Sequence, residues 1–142
     1  MRLTRIAVVL DIASVAIFVV IGRASHVKGE SLAGIASTSW PFLCGLAAGW
    51  ALSRAWPGAA APGVPAGRWP AAVWPAGVIV WVSTVAVGMV LRVVSGQGTA
   101  AAFVVVALAF LGLFLLGWRL AVRLITRSGG AARLRRTPAR AK

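Results

Sequence analysis

Charged residues in this chain fall so that four long stretches carry almost none. Seventeen residues separate Arg5 from Arg23, with only Asp11 among them, and residues 31–53, 69–91 and 93–118 hold no charge at all. A membrane-spanning helix needs about 20 mostly apolar residues. Each stretch is long enough for one crossing. Lipid supplies no hydrogen-bond partners, so a spanning segment must satisfy its backbone internally as a helix or in a closed barrel. Barrel strands show segments of about 10 residues with alternating polarity. These runs are continuous, so the expected fold is all-α: an integral membrane four-helix antiparallel bundle with helices near 6–22, 38–55, 75–93 and 101–123. Composition agrees. Charged residues make up 12% and hydrophobic residues 60%, whereas a soluble domain carries about a quarter charged residues. A 142-residue globule so poor in charge could not clothe its surface, and a chain so apolar is not disordered.

Tryptophan and proline punctuate the stretches. Four of the seven tryptophans precede a proline: Trp40-Pro41, Trp56-Pro57, Trp69-Pro70 and Trp74-Pro75. Tryptophan favours the membrane interface, and proline is tolerated at a helix start, where its missing N–H has no partner to lose. Ser39-Trp40-Pro41 therefore reads as the start of the second helix and Trp74-Pro75 as the start of the third. Trp56-Pro57 reads as a stop, 57–70 as a flexible loop rich in Pro, Gly and Ala, and Ser95-Gly96-Gln97-Gly98 as a tight turn. Residues 1–125 form the transmembrane domain in this reading. Residues 126–142, basic and poor in apolar side chains, form a disordered tail.

Orientation follows from Lys and Arg. Twelve lie on the side of the two termini and the middle loop, and three, Arg23, Lys28 and Arg92, lie on the other. The positive-inside bias puts both termini in the cytoplasm of a multi-pass protein. A signal peptide is the competing reading of residues 1–25, but Asp11 interrupts the apolar run and no A-x-A site follows.

Few residues could carry chemistry. Asp11 and Glu30 are the only acids, His26 the only histidine and Cys44 the only cysteine. This excludes a disulfide framework and a cysteine-based zinc site, and no metal site or cofactor is expected. An acid inside a spanning segment is a functional suspect. Asp11 lies about five residues into its helix, roughly 8 Å deep at 1.5 Å per residue, and Arg119 sits at similar depth in the last helix. The two form a candidate intramembrane ion pair, either a clamp between helices 1 and 4 or a site where Asp11 relays a proton or cation. Ser14 and Phe18 share the face of Asp11. Arg23, His26, Glu30 and Arg92 form a candidate outer-face polar cluster, read either as interfacial anchors or as a site for an anion or lipid headgroup. Gly45 and Gly49 make a G-x-x-x-G pair, and Thr84 and Gly88 a second pair of small residues; such pairs let helices approach closely, within one bundle or between two copies. Cys44 reads as a small buried apolar residue.

Phosphate-binding, nucleophile-elbow and zinc-protease motifs are absent from the sequence. The few polar groups fall on opposite membrane sides, so no enzyme is expected. The basic tail lacks aromatic platforms, which leaves nucleic-acid binding without support and favours attraction to anionic lipid headgroups.

Four sets of landmarks stand in order along the chain: Asp11 with Phe18, Gly22-Arg23 and His26, then Thr38-Ser39-Trp40-Pro41-Phe42 and Gly45, then Trp81, Gly88-Met89 and Arg92, then Phe103 and Gly117-Trp118-Arg119. On these landmarks the chain, over roughly residues 5–125, resembles the bacterial domain-of-unknown-function family 3054, small four-helix integral membrane proteins of unassigned activity. The resemblance implies a protein of the bacterial plasma membrane and no particular reaction. The expected function is non-enzymatic, through lipid or protein contacts in the bilayer, with a second copy or another membrane protein as partner. The alternative is a small oligomeric transporter or proton-linked permease using Asp11. Inverted repeats would favour transport, but Asp11 has no counterpart in the third helix.

Overall fold

The computed structural model describes residues 2–24, 31–55 and 70–134. Its regular structure consists of helices α1 (Arg2–Ala24), α2 (Leu32–Ala55), α3 (Val78–Val94) and α4 (Ala101–Leu134). Four segments are long and apolar enough to cross a membrane: Leu3–Arg23, Leu32–Arg54, Val73–Val94 and Ala101–Thr126. Each helix packs its backbone against two neighbours, α1 against α2 and α4, and α3 against α2 and α4, while across the diagonal α2 and α4 meet through side chains such as Phe42 and Phe103, whose ring centres lie 6.2 Å apart. The bundle is thus a closed ring in chain order. Its two ends differ: Arg2, Ala55, Val78 and Leu134 mark the termini end, and the α3–α4 turn marks the opposite end.

Helical periodicity selects the inner faces. Ala7, Asp11, Ser14, Val15, Phe18 and Val19 are buried on α1, spaced to share one stripe. On α4 the stripe is Ala107, Leu111, Leu115 and Arg119 at intervals of four, all at most 1% exposed. Phe18 is the hub of the core. Its ring meets Phe42 edge-on at 5.2 Å and lies 5.9 and 5.8 Å from Phe103 and Phe110. Large apolar side chains such as Val9, Val90, Leu113 and Ile125 point outward, the arrangement lipid rewards and water would not.

Three boundaries depart from the sequence expectation. First, α2 begins at Leu32, not near 38, and Pro41 is buried inside it. An interior proline removes the hydrogen bond to the carbonyl four residues earlier, here that of Ser37. The Gln97 side-chain amide in the α3–α4 turn donates to that carbonyl at 2.9 Å, and its own Oε1 accepts from Arg92 at 2.9 Å. Pro41 is thus tolerated because a residue far along the chain serves the freed acceptor. Replacing Gln97 with alanine is expected to lower stability in detergent by about 1 kcal/mol. The loss should shrink in a P41A background, whose restored amide reaches Ser37. Equal losses in both backgrounds would mean that the amide does not serve this carbonyl.

Second, regular α3 begins at Val78. An irregular turn over Val73–Gly77 precedes it, with Trp74 extended at φ −117° and ψ 136° and a cis Trp74–Pro75 peptide. Extended geometry is what a following proline imposes. Third, α4 runs on to Leu134, so residues 126–134 are helical rather than part of a disordered tail. Their Ala, Leu and Arg content favours helix and outweighs Gly129 and Gly130. Residues 135–142 of the expected tail lie outside the described residues, as do Trp56-Pro57 and most of the 57–70 loop.

Candidate functional site

At about two turns from the termini end, α1 and α4 bring Asp11 and Arg119 together. Asp11 is eight residues from the start of its span at Leu3 and Arg119 seven from the end of its span at Thr126. Both therefore lie about 11 Å deep, further in than the sequence suggests. Arg119 Nη1 donates to Asp11 Oδ1 at 2.7 Å and Nη2 to Oδ2 at 2.7 Å, a fork-to-carboxylate geometry open to arginine and not to lysine. Exposure is 0% for Asp11 and 1% for Arg119.

Two indoles complete the carboxylate. Trp50 Nε1 on α2 donates to Oδ2 at 3.0 Å and Trp118 Nε1 on α4 to Oδ1 at 2.9 Å. A carboxylate offers about four lone-pair sites, and here four donors meet them. Arg119 Nη1 also donates to the Leu115 carbonyl at 2.6 Å, and the Arg119 guanidinium lies 4.4 Å from the Trp118 ring centre. Gly77 makes room for the arginine: a Cβ there would lie 2.8 Å from Arg119 Cδ. The irregular start of α3 thus packs the stem of the ion pair. Asp11 and Arg119 meet as their similar depth suggests, whereas nothing in the spacing of Trp50 and Trp118 points to their two indole donors. Ser14, one turn from Asp11, donates to its own helix at the Leu10 carbonyl.

At the opposite end, Arg23 and Arg92 line one cavity of about 320 Å³ together with Thr38, Gln97, Phe18 and Phe103. His26 and Glu30, the other two members of the expected cluster, lie outside the described residues. Arg23 Nη1 donates to Thr38 Oγ1 at 3.3 Å. Arg92 is held by the turn, with Nη1 on Gln97 Oε1 and Nη2 reaching the carbonyls of Gln97 and Gly98. Its guanidinium packs 4.4 Å from the Phe103 ring centre.

Both small-residue pairs pack into the α2–α3 contact inside the bundle. A Cβ on Gly45 would lie 2.6 Å from the Thr84 carbonyl oxygen, and one on Gly49 would lie 2.8 Å from Val80 Cα. Gly88 receives the Phe42 ring, whose Cδ1 would be 2.7 Å from a Cβ there. Cys44 is exposed on α2, not buried. It follows Leu43 on the outward side, where lipid suits a small apolar thiol as well as a core does.

Comparison with known proteins adds one match. No curated protein and no solved structure matches the chain. A family model described as "Protein of unknown function (DUF3054)" matches residues 8–122, a region that contains Asp11, Trp50, Trp118 and Arg119 and both small-residue pairs. The four membrane-crossing helices with an internally satisfied ion pair thus belong to a member of the DUF3054 family.

Proposed function

We propose that this chain is a non-enzymatic protein of the bacterial cytoplasmic membrane that acts through lipid and protein contacts, with Asp11–Arg119 as a structural clamp. The observation that supports this is the saturation of Asp11 by four donors with no exposed atom. A proton or cation carrier needs an acid that its cargo can reach. It also needs an acid that can lose its partner at modest cost, and a buried forked pair resists that. An enzyme would need convergent polar groups, yet Asp11 and the Arg23–Arg92 cavity lie toward opposite ends of the bundle. The excess of Lys and Arg on the termini side supports a cytoplasmic location for both termini, where the basic tail would meet anionic headgroups.

Vesicles containing the purified chain and an internal pH dye test this reading. After an acid jump, wild-type vesicles are expected to match protein-free vesicles. Proton entry above that level, abolished by D11N in correctly inserted protein, would overturn it in favour of transport. The contact reading itself is tested by photo-reactive side chains at Val90 and Leu113, which face outward. These are expected to capture phospholipid or a neighbouring membrane protein in native membranes. The same group at buried Leu111 should capture only its own chain. Identical, intrachain-only products from all three positions would argue against contacts as the mode of action.

A further inference from the structure

Among the described residues, the cavity at the end opposite the termini holds more positive charge than its surroundings balance. Arg23 and Arg92 both line it. The single acid among the described residues is Asp11, which is committed to Arg119 toward the other end. Both arginines also keep a buried Nε that makes no hydrogen bond. These donors are set in place rather than loose. The α3–α4 turn holds the Arg92 fork through three acceptors, and Phe103 backs it. Arg23 lies on Gly34, where a Cβ would be 2.7 Å from the guanidinium carbon, so the absence of a side chain there fixes the arginine against α2. Thr38 Oγ1, the acceptor of the Arg23 bond, also lines the cavity, whose remaining wall includes Phe18, Val19 and Phe103. A volume of about 320 Å³ falls at the lower end of small-ligand sites, about 300 Å³.

We propose that this cavity binds a phosphate group between Arg23 and Arg92. A phosphate suits two guanidiniums better than a carboxylate or a halide ion does, because it offers enough oxygens and charge for planar donors on two sides at once. The apolar wall suits the part of the ligand that leads into lipid. Two sources share this chemistry, the headgroup of an anionic phospholipid and a free phosphate. The lipid source rests on the contact reading above, whereas the free-phosphate source does not.

Thermal stability of the full chain in a neutral sugar detergent tests the site. The probes are short-chain phosphatidylglycerol, inorganic phosphate, and a monoacylglycerol of the same chain length that lacks phosphate. Phosphatidylglycerol is expected to raise Tm saturably, and monoacylglycerol is not. R23Q and R92Q should each weaken the half-saturating concentration by about tenfold, the scale of one charge-assisted hydrogen bond. R23K and R92K, which keep the charge but not the fork, should fall between and guard against misfolding of the glutamine variants. R123Q, which removes an exposed charge on α4 near the termini end, should bind as wild type does. Equal stabilisation by inorganic phosphate would keep the site and assign it to a soluble ligand, against the lipid-contact reading. Stabilisation that persists unchanged in R23Q and R92Q, or that monoacylglycerol matches, would overturn the proposal. So would the absence of binding in wild type with its appearance in E30Q, because Glu30 would then be the counter-ion.

Discussion

Replacing Asp11 with alanine is expected to lower the stability of the bundle by about 3–5 kcal/mol, because the change strands a buried guanidinium. Total stabilities of about 5–15 kcal/mol are usual, so a large part of the folded population should go with it. Arg119 would lose both of its Asp11 acceptors and keep only the Leu115 carbonyl. The indoles of Trp50 and Trp118 would lose the acceptor that each now uses. The double variant D11L/R119M removes both charges and is expected to recover most of the loss, since apolar replacement of a buried pair is often near neutral. It should still fall short of wild type, because two indole N–H groups remain without Asp11, at about 1–3 kcal/mol each if left unpaired. Unfolding followed by circular dichroism in mixed micelles reads wild type, D11A, D11L, R119M and D11L/R119M, the last three closing the cycle. A coupling of about 2 kcal/mol or more between the sites is the expected sign of direct contact. Losses that simply add, as they do for distant sites to within about 0.5 kcal/mol, would contradict the clamp.

A second large effect is expected where α2 and α3 touch. G45A and G49A should each cost about 1–3 kcal/mol, and G45L should prevent folding of the bundle. The atoms that a new Cβ would meet are backbone, Thr84 O and Cα for Gly45 and Val80 Cα and O for Gly49, and no rotamer change moves them aside. The two helices must separate, and without a hydrophobic force between them in lipid the close contact is what holds them. G117A provides the opposite sign. Its Cβ would meet nothing within 4 Å, so it should be neutral or gain up to about 1 kcal/mol from helix propensity. The same pair of experiments separates bundle packing from dimer formation. If the stripe joined two copies, G45A would change the oligomeric state measured by light scattering and leave the unfolding of the single chain unaltered.

How far such a chain can be read from its residues depends on the range of the physics involved. The number of helices and the inner stripes were legible because bilayer thickness and the 3.6-residue period act on neighbouring positions. The Asp11–Arg119 partnership was legible because so few charges exist that depth alone nearly pairs them. The start of α2 was not, because tolerance of Pro41 depends on Gln97, which is 60 positions further along the chain than the Ser37 carbonyl it serves. Trp50 and Trp118 were hidden by their own chemistry: an indole near a membrane boundary reads as an interfacial anchor, and the same N–H serves equally well as an inward donor. Helical continuation to Leu134 was obscured by the charge of the segment, which resembles the composition of a disordered tail. Of the cavity at the far end, only its arginines and its charge could be foreseen. The fork held by the turn and the seat on Gly34 are products of tertiary packing.

The ion pair also imposes an order on how the protein is made. Asp11 and Arg119 are 108 positions apart, on the first helix and the last. Synthesis from the N-terminus delivers the acid to the membrane long before its arginine exists. During that interval the α1–α2 hairpin can offer it one partner, the Trp50 indole. The arrival of α4 supplies the other three donors in a single step. The last helix to emerge is therefore the one that closes the ring, and a chain cut short before Arg119 carries an acid that its own earlier helices cannot fully satisfy.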